Sequence, residues 1–98
     1  MTLEVRLRPE VEDDLFEAAD WYEEQRAGLG QNFLDAVDTT LSRVAVSPSA
    51  YPILYKSIRR ALLPRFPFGV FYQVEDENIV VVAVLHFSRH PRNWRNRR

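Results

Sequence analysis

The 98-residue sequence contains no cysteine, which excludes disulfide bonds and thiolate chemistry. It also lacks a long hydrophobic run, because its longest apolar stretch, residues 79–85, is far too short to cross a bilayer. The first residues show no basic segment followed by an apolar one, as a secretory signal would. The sequence therefore predicts a single domain over residues 1–98, located in the cytoplasm and without membrane contact.

Charge is unevenly distributed along the chain, although the net charge is only −1. Residues 1–50 hold 4 arginines and 11 carboxylates, a net charge of −7, whereas residues 51–98 hold 9 basic and 3 acidic residues, a net charge of +6. This division is typical of a second half that meets a polyanion or an acidic protein, but also of two charged surfaces that simply solvate a fold. Composition alone leaves both interpretations open.

The first half of the chain shows a strand pattern followed by two helical patterns. Strict alternation over residues 3–8 predicts a half-buried strand whose core-facing residues are Leu3, Val5 and Leu7. Apolar residues then recur at helical spacing in two stretches, Val11, Leu15, Ala18 and Tyr22, and Phe33, Val37, Leu41 and Val44. These stretches predict one helix from Pro9 to the turn at Gly28 and a second helix over residues 31–46.

The second half of the chain shows strand patterns. Residues 58–63 are short and compatible with a strand, and residues 79–87 are apolar on both faces, as in a central strand. Residues 66–74 place one set of apolar side chains on a single face: Phe66, Phe68, Val70, Tyr72 and Val74. The element order predicts an α+β fold, β-α-α-β-β-β, in which a helical hairpin packs on one face of a small, mainly antiparallel sheet.

Almost the whole chain, from about Leu3 to Arg95, carries an ordered set of short motifs. They are residues 14–22 (DLFEAADWY), Gly28, Leu29, Gly30, Phe33, Pro48, Tyr51, Pro52, Arg59, Arg60, residues 66–72 (FPFGVFY), Val84, Leu85, His86, Arg89 and Trp94. At these spacings the set resembles the RelE/ParE superfamily, the toxins of bacterial type II toxin–antitoxin (plasmid stabilisation) modules. The pattern is closer to ParE-type members.

The resemblance implies a cytoplasmic toxin that a tightly bound antitoxin, encoded beside it, neutralises. RelE-type members cut messenger RNA on the ribosome, whereas ParE-type members act on DNA gyrase and block replication. The chain is therefore expected to be a ParE-like gyrase inhibitor, with a RelE-like ribosome-dependent RNA endonuclease as the alternative. A non-toxic interaction or nucleic-acid-binding module that kept the fold is an alternative of another class. The antitoxin is expected to contribute an acidic or amphipathic segment that folds on the toxin.

RNA cleavage without a metal needs a base for the 2′-hydroxyl, cations for the developing phosphorane charge and an acid for the leaving oxygen. Arginine suits the cationic role, because its planar fork stays protonated. The candidate catalytic residues are Arg60, Arg65, His86 and Arg89. RelE-type nucleases are similar in placing lysine and arginine on the sheet and an aromatic hydroxyl near the C-terminus. This chain departs from them, since Lys56 is its only lysine and no tyrosine follows Tyr72.

A target-binding surface is expected on and beside the predicted sheet, formed by Arg59, Arg60, Arg65, Arg89 and Trp94. Because successive side chains of a strand point to opposite faces, Arg59 and Arg60 are not expected in the same cleft. His86 is interpreted either as a group that titrates near neutral pH or, preferably, as a hydrogen-bonded structural residue. A metal site at His86 and His90 is not expected without cysteine or a nearby carboxylate in the tail, and neither is a cofactor.

Overall fold

The computed structural model describes residues 2–87, and in this range a strand and two helices precede a 3₁₀ turn and four further strands. The elements are β1 (Glu4–Leu7), α1 (Pro9–Gln25), α2 (Leu29–Val46), the 3₁₀ turn (Pro48–Ala50), β2 (Ile53–Tyr55), β3 (Ile58–Leu62), β4 (Phe68–Glu75) and β5 (Asn78–His86). The predicted α+β class is confirmed. The short strand β2 is an addition that the sequence patterns did not predict.

The strands lie in one sheet in the order β1-β5-β4-β3-β2. Strands β2 to β5 pair antiparallel with their neighbours, whereas β1 pairs parallel with β5 over four residues. The sheet is therefore mainly antiparallel, and β5 lies between two strands, as its apolar residues on both faces predict. In the β4–β5 pair, Phe71 lies opposite Ala83 and Tyr72 opposite Val81, so that Val82 forms a bulge.

The main core lies between the two helices and one face of the sheet. The helical stripes predicted from spacing face this core, with Val11 of α1 and Val44 of α2 fully buried. Four aromatic rings contact one another here at centroid separations of 4.9 to 6.0 Å, mostly edge to face: Tyr22, Phe33, Phe66 and Phe68. This ring cluster joins both helices to the start of β4.

The face of the sheet turned away from the helices carries a smaller apolar cluster. Its buried residues are Ile58, Phe71, Val82, Ala83 and Leu85. Neither α1 nor α2 contributes a residue to this cluster. We call this side of the sheet, defined by these five residues, the distal face, and the opposite side the helix face.

Two residues predicted to face the core lie at its margin. Leu7 and Val74 are each 40% exposed, because Leu7 is the last residue of β1 and Val74 lies beside the turn that joins β4 to β5. The strand predicted to begin at Phe66 begins only at Phe68, since the Phe68 N–H donates to the carbonyl oxygen of Phe66 at 2.8 Å in a tight turn and Pro67 has no N–H. Phe66 is nevertheless buried, as predicted.

The link between the helices is held by a carboxylate of α1. Helix α1 ends at Gln25 and α2 begins at Leu29, so both boundaries precede the predicted ones. The Glu23 carboxylate accepts hydrogen bonds from the N–H of Gly28 at 2.9 Å and from the N–H of Gly30 at 3.0 Å. These bonds satisfy amides that have no partner within α2, which allows the helix to start earlier than its apolar spacing indicates.

Candidate functional site

Arg59 lies on the helix face of the sheet, opposite Tyr72 in the β3–β4 pair. Its Nη1 donates a hydrogen bond to the carbonyl oxygen of Tyr51 at 2.6 Å and a longer one to that of Ser49 at 3.4 Å. Arg59 therefore holds the segment that follows α2, which is a structural role. Its predicted part in target binding stays a prediction.

Tyr72 anchors the same segment from β4. The side chain is fully buried, and its hydroxyl donates to the carbonyl oxygen of Pro48 at 2.6 Å. Burial raises the pKa of Tyr72 to about 12, and the nearby charge of Arg59 lowers it only in part. The last tyrosine of the chain is thus committed to a backbone carbonyl and does not replace the aromatic hydroxyl of RelE-type nucleases.

Arg60 lies on the distal face, as strand alternation predicts. Its stem crosses the backbone of Gly69, where a Cβ atom would lie 2.9 Å from Arg60 Cγ. The guanidinium carbon lies 6.0 Å from the centre of the Phe87 ring, within cation–π range. Arg60 Nε is buried without a hydrogen-bond partner, and among residues 2–87 no carboxylate forms an ion pair with Arg60. A buried donor without a partner is rare and costly, so the unmet Arg60 Nε calls for an explanation.

His86 ends β5 on the helix face. It pairs with Phe68 across the β4–β5 ladder, and the two rings meet edge to face at 5.4 Å between centroids. Because Arg60 lies on the distal face, His86 and Arg60 point to opposite sides of the sheet and do not share a site. Arg65 is exposed in the turn before β4 and makes no hydrogen bond or ion pair with the described residues.

The remaining predicted residues, Arg89, His90 and Trp94, lie outside the described residues, and their roles stay predictions. Within residues 2–87, no group of three histidine, aspartate or glutamate side chains is arranged to hold a metal ion. Neither helix in that range is long and apolar enough to span a membrane. Because Arg60 and His86 point to opposite sides of the sheet, the described candidates for catalysis do not converge on one point.

A groove with a volume of about 850 Å³ lies between α1 and β5. We call it the α1–β5 groove, and it is lined by Asp14, Glu17, Ala18, Asp20, Trp21, Tyr22, Glu24, Pro67, Phe68, Val84, Leu85 and His86. It exists because β1 pairs only with the first half of β5. Beyond β1, the N–H of Val84 donates to Asp14 Oδ2 of α1 at 3.1 Å instead of to another strand.

Sequence reasoning did not predict this groove. One signal was present, because four of its carboxylates recur at helical spacing on α1: Asp14, Glu17, Asp20 and Glu24. A large apolar side chain, Trp21, lies among them and is 57% exposed. A tryptophan among carboxylates on one face of a helix is the sequence signal that marks this face as a candidate contact surface.

Comparisons with known proteins agree with this architecture. The sequence pattern of the family described as "ParE toxin of type II toxin-antitoxin system, parDE" matches residues 5–91. Two curated relatives named Toxin ParE2, from Mycobacterium tuberculosis strains CDC 1551 / Oshkosh and ATCC 25618 / H37Rv, are each 37% identical over 95 residues, which cover 93% of this chain and 88% of the relative.

The fold is also similar to a chain from the solved structure of the chromosomal ParDE TA system from P. aeruginosa. The TM-score is 0.77 with 13% identity, and the match covers 87% of this chain and 96% of that chain. At this identity the likeness bears on the fold. The family match and the 37% identity to the Toxin ParE2 relatives also show the family. This chain belongs to the ParE family of toxins of type II toxin–antitoxin systems.

Proposed function

We propose that this toxin inhibits DNA gyrase by binding it through the distal face of the sheet, with Arg60 as the central contact. The observation that carries the proposal is the Arg60 guanidinium, which has no ion pair among the described residues and lies beside Phe87 and above Gly69. Arginine and aromatic residues are enriched among the residues that dominate binding energy in protein interfaces. Leu62, which follows on the same strand and is 52% exposed, adds apolar area.

Binding is favoured over RNA cleavage by the separation of the candidate groups. Cleavage requires a base, an acid and a cation within hydrogen-bond reach of the same reacting atoms. Arg59 and Tyr72 are bound to backbone carbonyls on the helix face, and His86 lies across the sheet from Arg60. The described residues therefore support a toxin that binds its target. We propose that it acts in the cytoplasm, where gyrase meets DNA.

We also propose that a cognate antitoxin binds and neutralises this toxin. The proposal is supported by membership of a family defined by its toxin–antitoxin system and by the similar fold found in a ParDE TA system.

A supercoiling assay with purified gyrase tests the target. The wild-type protein should inhibit supercoiling, and Arg60→Ala should raise the half-inhibitory concentration about thirtyfold, because loss of a central interface arginine costs about 2 kcal/mol. Arg43→Ala is the matched control, since Arg43 is exposed on α2 and its side chain makes no hydrogen bond or ion pair with the described residues. This control should leave inhibition unchanged. Circular dichroism should show that both variants are folded.

The possible outcomes separate the alternatives. If the wild-type protein leaves supercoiling unaffected while primer extension detects cleaved messenger RNA after induction, the toxin is a nuclease and the gyrase proposal is wrong. If folded Arg60→Ala inhibits as strongly as the wild type, the assignment of Arg60 is wrong. Normal growth of several bacterial hosts after induction without antitoxin would contradict toxicity itself.

A further inference from the structure

We infer that the α1–β5 groove binds a cationic segment of a partner protein, and that Asp20, Trp21 and Glu24 recognise an arginine or lysine side chain of that segment. The inference is independent of the gyrase target. The groove opens on the helix face, whereas Arg60 lies on the distal face.

Asp20 and Glu24 present two carboxylates to which no other described residue is bound. They lie one helical turn apart on α1, both are exposed, and neither makes a hydrogen bond or ion pair with the described residues. Residues four apart on a helix share a face, so one cationic side chain can reach both. A guanidinium placed between them gains charge-assisted hydrogen bonds, which are stronger than neutral ones.

Trp21 supplies an aromatic surface between these carboxylates. Its indole is 57% exposed, and its orientation is set by an edge-to-face contact with Tyr22 at 5.1 Å between centroids. Tyr22 itself packs into the aromatic core through Phe66, so the indole is attached to a rigid neighbour. Cations bind the face of an indole more favourably than that of any other aromatic side chain. Two carboxylates that have no partner within residues 2–87, beside an exposed tryptophan, therefore favour a cation.

The remainder of the groove fits an amphipathic segment. Among residues 2–87, its lining contains four carboxylates and neither lysine nor arginine, so the field of these residues attracts positive charge. Its floor is apolar where Ala18, Phe68 and Val84 meet, and this floor suits an aliphatic side chain next to the cationic one. The volume of about 850 Å³ is that of a site for several side chains. The occupant is thus a segment in which basic and apolar residues alternate.

An NMR titration of the full-length toxin tests this inference. The probe is a short capped peptide of alternating arginine and leucine, and its analogue has glutamate in place of arginine. The indole N–H signal of Trp21, assigned with Trp21→Phe, should shift saturably with the basic peptide together with the amides of Ala18 and Phe68. The glutamate analogue should produce no saturable shift.

A pair of double variants tests the assigned carboxylates. Asp20→Asn with Glu24→Gln should weaken binding of the basic peptide about three- to tenfold, the range for losing two partly exposed ion pairs. Glu10→Gln with Glu12→Gln is the matched control, because it removes the same charge from exposed positions of α1 outside the groove. The control should leave the dissociation constant unchanged.

Four results would overturn the inference. They are equal weakening by the two double variants, equal binding of the two peptides, no saturable shift at all, and a Trp21 shift that follows protein concentration without peptide. Equal weakening by the two double variants would show that the effect depends on net charge alone. A Trp21 shift that follows protein concentration would identify a second copy of the chain as the occupant.

Discussion

Replacing Gly30 with alanine should destabilise the protein, although the same change within an unobstructed helix stabilises it. Helix propensity alone predicts a gain of about 1 kcal/mol, because glycine is the less favourable residue in a helix. A Cβ atom at Gly30, however, would lie 2.6 Å from the carbonyl oxygen of Ala19 and 3.0 Å from Glu23 Oε1. The first of these atoms is helix backbone, so α1 and α2 must move apart to admit the methyl group.

The steric effect should exceed the gain in propensity. Overpacking typically costs about 1–3 kcal/mol. Displacement of Glu23 also weakens the hydrogen bond from the Gly30 N–H to its carboxylate, and a bond to a charged group contributes about 1.5–3 kcal/mol. After subtraction of the propensity gain, we expect the free energy of unfolding to fall by about 1.5–5 kcal/mol. The melting temperature should fall by about 4–8 °C for each kcal/mol.

Urea unfolding followed by circular dichroism measures this loss. Two controls separate sterics from backbone conformation. Asn32→Ala, at an exposed position of the same helix, should be neutral or stabilising. Gly28→Ala meets no atom within 4 Å, but its φ of 89° should cost about 1–2 kcal/mol through conformation alone. A Gly30→Ala protein as stable as the wild type would refute the close approach of the helices.

Two further substitutions test contacts that hold the sheet. Tyr72→Phe should lower the free energy of unfolding at neutral pH by about 1–2 kcal/mol in urea unfolding, because the Pro48 carbonyl loses its donor. Folding raises the pKa of Tyr72 from 10.0 to about 12, so the folded state binds this proton more tightly. The wild type should therefore lose stability as pH rises from 10 to 12, and Tyr72→Phe should lose less; equal losses would contradict this. Asp14→Ala should cost about 1–2 kcal/mol in the same assay by removing the acceptor of the Val84 N–H, whereas Asp14→Asn, which keeps an acceptor, should cost less. Wild-type stability of Asp14→Ala would show that this bond contributes nothing.

Periodicity predicted the two helices, which bury one apolar face each, and strand β5, which is apolar on both faces. The stripes that contain Val11 and Phe33 placed both helices, and the apolar run of β5 placed it inside the sheet. Strand β2 has only three residues, between a proline and a turn with positive φ at Lys56, so no alternation was long enough to detect. The start of α2 was missed because its amides bond to Glu23, a side chain of the preceding helix.

Strand alternation also predicted that Arg59 and Arg60 lie on opposite faces. It did not predict that Arg59 would bond to carbonyl groups at residues 49 and 51, because this contact depends on how the segment after α2 folds back. The α1–β5 groove was not predicted for a similar reason, although its acidic stripe on α1 is visible in the sequence. Its defining bond, from Val84 to Asp14, joins residues separated by 70 positions.

The two proposed surfaces meet at the end of β5. His86 lines the groove on the helix face, and the next residue, Phe87, lies beneath the Arg60 guanidinium on the distal face. A partner segment confined to the groove leaves Arg60 accessible, so filling the groove is not by itself sufficient to block the proposed target contact. A segment that leaves the groove past His86 and continues around the end of β5 meets Phe87 and covers Arg60 as well. Neutralisation by direct occlusion therefore requires a partner chain that continues around this end of the sheet, with basic residues for the groove and an acidic residue for Arg60.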